Sequence, residues 1–352
     1  MSEKRVLVTG NEAAAEAAIM ARCRCYYGYP ITPQNEISAY MALHMPEAGG
    51  VFLQAESEVA AINMCFGSAA TGARVMTSSS SPGISLKMEG ISYAAGAELP
   101  IVIINVMRGG PGLGNIEPAQ GDYFQATKGG GHGDYRLIVL APYSVQEFAD
   151  LVMLAFDLAD EYRTPVMVLA DGQIGQMMEP AVLRAPSPRA LPEKDWVLSG
   201  AAGRAPRQVH SFWLKAGRLT EHNLHLVAKY DRISSRETRF EERGTEEAQV
   251  VLVAYGTSAR VSLEAMRTAG KDSPRLGLLR PITLWPFPSA PLRKLAEKGK
   301  RFLVVEMSAG QMVEDVRLAV EGRAPVGFVG RPGGGVPSPA EILEGARAVM
   351  EK

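Results

Sequence analysis

Short apolar runs alternate with longer stretches rich in alanine and glycine through the first half of the chain. The apolar runs predict strands of a sheet covered on both faces, and the longer stretches predict helices. The predicted strands are 51–53, 73–77, 101–106, 137–140 and 165–169, and the predicted helices are 13–21, 56–71, 82–95 and 144–162. Strand 51–53 is expected to be buried, and Asn11 is the expected N-cap of the first helix. This order is typical of a doubly wound α/β domain with a parallel sheet.

The same alternation returns in the last third of the chain. Strands are predicted at 250–255, 275–279, 302–306 and 326–329, and helices at 258–269, 290–298 and 311–321, with a last helix after Pro339. We therefore expect a second, smaller α/β domain.

The stretch between these halves has a different composition. It carries many charges, shows no sustained helical period, and contains the prolines Pro180, Pro186, Pro188, Pro192 and Pro206. We interpret it as an extended connector with a hairpin around 209–214. The predicted division is thus a first domain at 1–178, a connector at 179–245 and a second domain at 246–352.

Composition limits the classes of partner. The 352 residues are 46% hydrophobic and 21% charged, with a formal net charge of -1 and a pI near 6.6, so nothing favours nucleic acid or an anionic membrane. No apolar run approaches the roughly 20 residues that span a bilayer. The first residues lack the apolar stretch of a secretory signal. A cytoplasmic protein is expected.

Cysteine and histidine spacing argues against a metal site in this chain. Cys23 and Cys25 are one residue apart and Cys65 stands alone, so no Cys-x-x-Cys pair is present for an iron–sulfur cluster or for zinc. His222 and His225 are three residues apart, but a third ligand is missing. We expect buried, reduced thiols and no metal.

Two segments carry polar groups at the ends of predicted strands, where open parallel sheets bind ligands. Residues 29–33 read Tyr-Pro-Ile-Thr-Pro, and the two prolines restrict the backbone around Thr32. Residues 54–61 read Gln-Ala-Glu-Ser-Glu-Val-Ala-Ala. Glu58 begins a helix of small residues there, so we expect its carboxyl to be buried as the helix packs. We interpret Glu56 as a helix-start carboxylate favoured by the helix dipole.

An arginine and two glycine-rich stretches follow. Arg108 comes after the most apolar predicted strand and precedes Gly109 and Gly110. A guanidinium at that end of a strand can bind a carboxylate through two parallel hydrogen bonds, and glycines let a ligand approach the backbone. The second stretch, 125–133, contains Lys128 but lacks the Gly-Lys-Ser/Thr of a phosphate-binding loop.

These motifs together resemble the thiamine diphosphate pyrimidine-binding domain of the 2-oxoacid:ferredoxin oxidoreductases, and most of all the branched-chain, 2-oxoisovalerate group. The resemblance implies that Glu58 hydrogen-bonds the aminopyrimidine ring and activates the coenzyme. It implies that Thr32 and Arg108 bind and orient the 2-oxoacid, and that Pro30 and Ile31 contact the coenzyme.

The resemblance extends to other segments. Substrate or coenzyme A contacts are expected from the loops that contain Gly109, Gly110 and Lys128. Segments 278–288 and 304–311 resemble the C-terminal domain of transketolase-type enzymes. We expect structural roles for both at a domain or subunit contact, and family analogy also allows either to border a coenzyme A channel.

One half of a thiamine diphosphate site is missing from the sequence. The family of thiamine enzymes holds the diphosphate and Mg²⁺ with Gly-Asp-Gly and a later Asn, and neither Gly-Asp-Tyr at 133–135 nor Ala-Asp-Gly at 170–172 fits. The resemblance therefore implies an alpha subunit that is active only with partners. These are a beta subunit with the diphosphate site, gamma and ferredoxin-like delta subunits, with iron–sulfur clusters in the partners, and ferredoxin. The expected reaction converts a 2-oxoacid and coenzyme A to acyl-CoA and CO₂.

Three alternatives stay open. The first is a pyruvate- or 2-oxoglutarate-specific member of the same family. The second is an NAD-dependent dehydrogenase, although Gly-Asn-Glu-Ala at 10–13 lacks the Gly-x-Gly-x-x-Gly spacing. The third is a non-catalytic scaffold subunit that retains only the fold.

Overall fold

The computed structural model describes residues 5–185, 190–271 and 273–351. Its strands are β1 (Val6–Thr9), β2 (Cys25–Gly28), β3 (Val51–Gln54), β4 (Val75–Ser79), β5 (Val102–Met107), β6 (Ile138–Leu140), β7 (Val166–Asp171), β8 (Met178–Ala181), β9 (Phe240–Arg243), β10 (Val250–Val253), β11 (Leu276–Pro281), β12 (Thr283–Trp285), β13 (Arg301–Glu306) and β14 (Val326–Gly330). Its helices are α1 (Gly10–Met20), α2 (Asn35–Glu47), α3 (Glu58–Ala70), α4 (Ser81–Gly96), α5 (Tyr123–Thr127), α6 (Val145–Tyr162), α7 (Gly172–Gln176), α8 (Arg218–Arg236), α9 (Gly256–Thr268), α10 (Ser289–Glu297), α11 (Met312–Val320) and α12 (Pro339–Met350).

Six strands from the first half of the chain, together with β12 from the second half, form a seven-stranded sheet in the order β12-β6-β7-β5-β4-β2-β3. All neighbours are parallel except β12, which runs antiparallel to β6. The central strands β4, β5 and β7 are buried along their whole length, and α1 packs on α2 and α6 while α3 packs on α4. The predicted doubly wound α/β architecture is confirmed.

Two strands differ from the prediction. β1 does not join the large sheet but pairs with β8 in a separate antiparallel pair. β3 is the edge strand of the large sheet, and Val51 and Leu53 are 50% and 41% exposed. The expectation of a buried strand there was wrong, because an edge strand has a neighbour on one side only.

The N-cap of α1 also differs. Thr9 is the cap. Its hydroxyl accepts from Glu12 N, and the Glu12 carboxylate accepts from Thr9 N, which together form a capping box. Asn11 lies inside the helix, is fully buried, and turns its side chain toward the loop that precedes α2. The expectation that Asn11 caps the helix was therefore wrong.

The second half of the chain forms a five-stranded sheet in the order β14-β13-β10-β11-β9. β10, β11, β13 and β14 are parallel, and β9 is antiparallel to β11. The chain then crosses to the first sheet at β12, where Thr283 pairs with Leu140. The two α/β units thus share backbone hydrogen bonds.

The stretch between the units contains a long helix that the sequence analysis missed. α8 has 19 residues, and Leu226, Tyr230 and Ile233 are its buried apolar positions. These positions are four and three residues apart, which is a helical period. The other positions of the helix are mostly charged or polar, so the period could not be recognised in the sequence. The expectation of a connector without a helix was wrong, and no strand of the described residues lies at 209–214. Pro186 and Pro188 lie outside the described residues, and the domain boundaries stay predictions.

Two further findings concern the whole described chain. None of its described helices has both the length and the apolar composition that crossing a membrane requires. Cys23 and Cys65 are buried free thiols, as expected, whereas Cys25 is only half-buried.

Candidate active site

Glu58 is the first residue of α3. The Ser57 hydroxyl caps this helix by accepting from Ala60 N at 3.2 Å, so the chain enters the helix with the Glu58 side chain turned inward. Glu58 is 6% exposed, whereas Glu56, which lies before the cap, is exposed. The predicted burial of Glu58 is confirmed. Its carboxylate has no hydrogen-bond partner among the described residues.

Gly83 in the first turn of α4 makes room for that carboxylate. A Cβ placed on Gly83 would lie 2.6 Å from Glu58 Oε1 and 2.1 Å from Ser79 Oγ. Any larger side chain there would displace one of the two groups.

Arg108 is 7% exposed and contacts the loop that contains Thr32. Its Nη1 donates to Thr32 O and its Nη2 donates to Leu113 O, each at 3.0 Å. Its Nε is buried and has no hydrogen-bond partner among residues 5–185, 190–271 and 273–351. A guanidinium has five N–H groups, so three are left for a ligand. The structure thus brings Thr32 and Arg108 together.

The first turn of α4 connects Arg108 with Glu58. Ser81 Oγ accepts from Arg108 N at 3.1 Å and donates to Asp122 Oδ2 at 2.7 Å. Gly83 contacts Glu58 two residues later. Neither Ser81 nor Gly83 was predicted from the sequence. The run Thr-Ser-Ser-Ser-Ser-Pro-Gly at 77–83, with proline at the start of a helix after a strand, is a usable signal for both.

Two buried side-chain amides, those of Gln34 and Asn11, bond to backbone carbonyls of the loop 29–33. Gln34 is fully buried, donates to Tyr29 O at 3.3 Å and accepts from Ser78 Oγ at 2.5 Å. Asn11 donates to Pro33 O at 2.8 Å. These bonds hold two backbone carbonyls of the loop in place. The actual role of Asn11 is therefore to position this loop.

The side chains of residues 30–32 in this loop are exposed or half-exposed to solvent. Pro30 is exposed, Ile31 and Thr32 are half-buried, and Thr32 Oγ1 accepts from Asn35 Nδ2 at a long 3.3 Å. These side chains are accessible to a ligand, but the structure does not test their predicted roles.

Several buried polar atoms at this edge of the sheet have no partner in the described chain. They are Ser79 Oγ, Ser80 Oγ and Arg108 Nε. An unpaired buried polar group costs about 1–3 kcal/mol, so natural proteins rarely keep several together without a ligand. The site therefore fits a polar ring and a carboxylate substrate, which are the groups that thiamine diphosphate and a 2-oxoacid present.

The remaining predicted contacts are separated by the fold. A Cβ on Gly109 would lie 2.3 Å from Asn115 Oδ1, so this glycine is needed for a tight loop, whereas Gly110 faces open space. The ammonium of Lys128 pairs with the Asp315 carboxylate of α11. Lys128 thus lies at the contact with the second unit. The predicted substrate or coenzyme A role of these three residues stays a prediction.

Comparison with known proteins agrees with this geometry. Residues 16–211 match the family model "Pyruvate flavodoxin/ferredoxin oxidoreductase, thiamine diP-bdg", and residues 248–342 match "Pyruvate:ferredoxin oxidoreductase core domain II". The chain is 52% identical to ketoisovalerate oxidoreductase subunit VorB of Methanothermobacter thermautotrophicus, over 97% of both chains. The chain belongs to the 2-oxoacid:ferredoxin oxidoreductase family.

Other members of the 2-oxoacid:ferredoxin oxidoreductase family are more distant. The 2-oxoglutarate synthase subunit KorA of the same organism is 38% identical over 96% of both chains. A solved 2-oxoglutarate:ferredoxin oxidoreductase from Magnetococcus marinus is 25% identical with a TM-score of 0.86, over 99% of this chain and 66% of that one. A split-gene transketolase shares the fold alone, at 14% identity and a TM-score of 0.62. The curated relatives are named as subunits, so this chain is an oxidoreductase subunit of a family that acts in multi-subunit assemblies.

Segment 304–311 lies at a domain contact, as the sequence predicted. Gln120 N donates to Met307 O at 2.8 Å, and Gln120 Oε1 accepts from Met307 N at 3.0 Å. The same amide donates to Tyr255 O at 2.9 Å and accepts from Ser258 Oγ at 2.8 Å. Gln120 therefore joins the first unit of this oxidoreductase subunit to two segments of the second. In segment 278–288, β12 supplies a second domain contact by pairing with β6.

Two buried carboxylates lie at strand ends near that contact, and of these Asp171 bonds across it while Glu306 bonds within the second unit. Asp171 accepts from Thr257 N at 2.8 Å and from Thr257 Oγ1 at 2.7 Å, and Glu306 accepts from the backbone N–H groups of Met312 and Val313 at 3.0 Å. Burial raises the pKa of both carboxyls. Asp171 is thus fully engaged in joining the two units, which agrees with the failure of segment 170–172 to fit a diphosphate motif.

The structure also bears on the dehydrogenase alternative. The turn at Gly10 between β1 and α1 is covered by α7, since Gly10 N donates to Met177 O at 3.1 Å and a Cβ on Gly10 would lie 2.0 Å from Ile174 O. A dinucleotide pyrophosphate needs free backbone N–H groups and space at such a turn. The packing of α7 leaves no such space.

Proposed function

We propose that this chain is the alpha subunit of a coenzyme A-acylating 2-oxoacid:ferredoxin oxidoreductase that acts on a branched-chain 2-oxoacid of the 2-oxoisovalerate type. One observation carries the proposal. The buried carboxyl of Glu58, for which the described ranges supply no hydrogen-bond partner, lies at the same edge of the sheet as the partly unpaired guanidinium of Arg108. Those two groups suit the ring of the coenzyme and the carboxylate of the substrate.

The residues of this chain would divide the work. Bound thiamine diphosphate supplies the nucleophilic carbon and accepts the electron pair that decarboxylation releases. Glu58 would hold a proton against the pyrimidine ring nitrogen, a position that Gly83 and the start of α4 keep open. Arg108 would bind the carboxylate of the 2-oxoacid with its free N–H groups, and the Thr32 hydroxyl would orient the keto group. Pro30 and Ile31 would contact the coenzyme.

The diphosphate, Mg²⁺ and the iron–sulfur clusters are assigned to partner subunits. The rim of the site supports this division, because Tyr29, Leu53 and Val59 are 37%, 41% and 43% exposed around an open half-site. Exposed apolar side chains beside a functional group are typical of a surface that a partner covers. The partners are a beta subunit with the diphosphate site, and gamma and ferredoxin-like delta subunits that lead electrons to ferredoxin, in the cytoplasm.

The choice of substrate rests on the relatives. Identity is 52% to a ketoisovalerate oxidoreductase subunit and 38% to a 2-oxoglutarate synthase subunit, each over nearly the whole chain. Steady-state assays of the assembled complex with 2-oxoisovalerate, 2-oxoglutarate, pyruvate and an aryl-pyruvate test it. We expect the highest kcat/KM with 2-oxoisovalerate. A higher value with 2-oxoglutarate or pyruvate would establish the second candidate, a different member of the family.

The catalytic assignment is tested by Glu58→Gln in the assembled complex. Removing the acid should lower kcat by about 10²- to 10⁴-fold, because proton transfer in the transition state contributes this much. Glu56→Gln is the matched control, since it removes the exposed carboxylate two residues away and should leave kcat unchanged. Near-normal turnover by Glu58→Gln would refute the assignment. Unchanged thiamine diphosphate affinity together with unchanged turnover would support the scaffold alternative.

A further inference from the structure

Three polar side chains next to Arg108, those of Asp122, Ser81 and Asn105, have no role in the proposed mechanism. Asp122 Oδ2 accepts from Ser81 Oγ at 2.7 Å and from Asn105 Nδ2 at 2.8 Å. The amide oxygen of Asn105 accepts from Ser81 N at 3.2 Å. Asn105 is fully buried and Ser81 is 9% exposed. The three residues thus form a closed ring of hydrogen bonds beside the arginine.

The position of Asp122 in the chain argues against a purely local role. It is the residue before α5, where an aspartate usually accepts from the backbone of its own helix. Here its side chain makes no such cap. The carboxylate instead reaches β5 through Asn105 and the start of α4 through Ser81. Asp122 therefore bonds the two elements that carry the site and not the helix that follows it.

The Ser81 hydroxyl connects this ring to Arg108. A hydroxyl has one hydrogen to donate and two lone pairs that accept. Two acceptors are within its reach, Asp122 Oδ2 at 2.7 Å and Arg108 O at 3.3 Å. The carboxylate is both the closer and the charged acceptor, so it takes the hydrogen. A lone pair is then left to accept from Arg108 N at 3.1 Å. Asp122 thereby fixes the backbone from which the Arg108 guanidinium extends.

The second unit holds the backbone on both sides of Asp122. Gln311, the residue before α11, donates through Nε2 to Gly121 O at 2.7 Å. Its Oε1 accepts from Phe124 N, also at 2.7 Å. One side chain of the second unit therefore brackets Asp122, so the place of its carboxylate is set from outside the sheet that carries Arg108.

We propose that Asp122 is a positioning residue for substrate binding, which orients the Ser81 hydroxyl and so holds Arg108 where its guanidinium meets the carboxylate of the 2-oxoacid. This inference rests on the proposed role of Arg108 and extends it. Asp122 acts through Ser81 and not by contact with the substrate. Hydrogen bonds between a guanidinium and a carboxylate depend strongly on geometry, so the KM for the 2-oxoacid should respond to Asp122.

The experiment measures KM and kcat for 2-oxoisovalerate in the assembled complex, with coenzyme A and a viologen dye as electron acceptor. In Asp122→Ala the KM should rise by about 10-fold, the effect of one lost hydrogen bond, with a smaller change in kcat. Asp122→Asn keeps an acceptor oxygen for Ser81 and should restore most of the loss. A wild-type KM in Asp122→Ala overturns the inference.

Asp160→Ala is the matched control. Asp160 is a buried carboxylate of the same unit that accepts from Arg74 Nε at 2.8 Å and pairs with Lys194 Nζ at 2.7 Å. Arg74 precedes β4 whereas Arg108 follows the parallel strand β5, so the two contacts lie at opposite edges of the sheet. Loss of Asp160 should lower stability and leave the KM at the wild-type value. An equal rise of KM in this variant would be a general effect of lost stability and would overturn the inference.

Ser81→Ala tests the route and covers the case in which Asp122→Ala does not assemble. Removing the hydroxyl should raise the KM by a similar factor, because Arg108 N loses its acceptor. In the double variant the KM should be no higher than in the worse single variant, since residues that act through one contact are not additive. A wild-type KM in Ser81→Ala, or a double variant whose KM rises by the product of the two single effects, contradicts action through Ser81.

Arg108→Lys separates this inference from the proposed function. A raised KM in Arg108→Lys together with a wild-type KM in Asp122→Ala refutes the inference alone. A wild-type KM in Arg108→Lys refutes the proposed role of Arg108 itself, and the inference with it.

Discussion

Two buried polar regions of this chain differ in how their groups are paired. At the domain contact, the side chains of Gln120 and Asp171 bond backbone and hydroxyl groups of the second unit. At the edge of the large sheet, the Glu58 side chain and Arg108 Nε are buried, and neither has a hydrogen-bond partner within the part of the chain that the structure describes. Both regions lie at strand ends and both are rich in polar residues. Pairing within the chain marks the first as structural, and its absence marks the second as functional.

The largest expected effect comes from a substitution that displaces Glu58 at the edge of the large sheet without replacing a reacting group. In Gly83→Ala the new methyl group would overlap Glu58 Oε1 and Ser79 Oγ, so the carboxyl must move. Turnover of the assembled complex should fall by about 100-fold, the effect expected when a catalytic group is displaced by about 1 Å. Gly90→Ala is the control on the same helix, because its Cβ would meet Ile62 Cγ2 at the same 2.6 Å. Equal losses of turnover in the two variants would show that packing alone matters.

The second expected effect concerns the guanidinium. Arg108→Lys keeps a charge but loses the planar donor pair, so the KM for the 2-oxoacid should rise by about 30-fold with a smaller change in kcat. Arg280→Lys removes an equally buried arginine that pairs with Glu147 and Glu241, and it should reduce stability without raising KM. An unchanged KM in Arg108→Lys contradicts substrate binding by this residue.

The third expected effect concerns the domain contact around Gln120. Gln120→Leu removes the acceptor of the Met307 N–H group and the bonds to Tyr255 O and Ser258 Oγ, so the free energy of unfolding should fall by about 2 kcal/mol. Chemical denaturation of the full-length chain measures it. The KM for the 2-oxoacid should stay at the wild-type value in the assembled complex. A raised KM with an unchanged stability would reverse the distinction between the two regions.

The smallest expected effect is a pH dependence of stability. The pKa of Lys87 is lowered from 10.5 to about 8 by burial, so between these values the unfolded chain binds more protons than the folded chain. The free energy of unfolding then rises with pH in this window, by about 1 kcal/mol between pH 8 and pH 9. Denaturation curves of the wild type and of Lys87→Met at both pH values give the difference. An equal pH dependence in the two proteins contradicts a buried, charged lysine.

Local patterns were sufficient to predict most of the architecture. The apolar strands around Ile104 and Leu252 and the small-residue helix after Glu58 carry their periods in the sequence, so the α/β class and the burial of Glu58 were predicted. The wrong predictions concern segments whose burial depends on their neighbours in the folded chain. Val51 and Leu53 have the pattern of a buried strand but lie at an edge, and α8 has a three-residue apolar stripe that its charged turns obscured.

The sequence by itself determined which chemical groups stand at the strand ends: the carboxyl of Glu58, the guanidinium of Arg108 and the hydroxyl of Thr32. Only the tertiary structure decided which of these groups lie close together and which of them find hydrogen-bond partners within the chain. Residues such as Gly83 and Lys87 show the reason. Their neighbours come from a different helix and strand, so packing, not local sequence, turns a glycine into space for a carboxylate and a lysine into a buried charge.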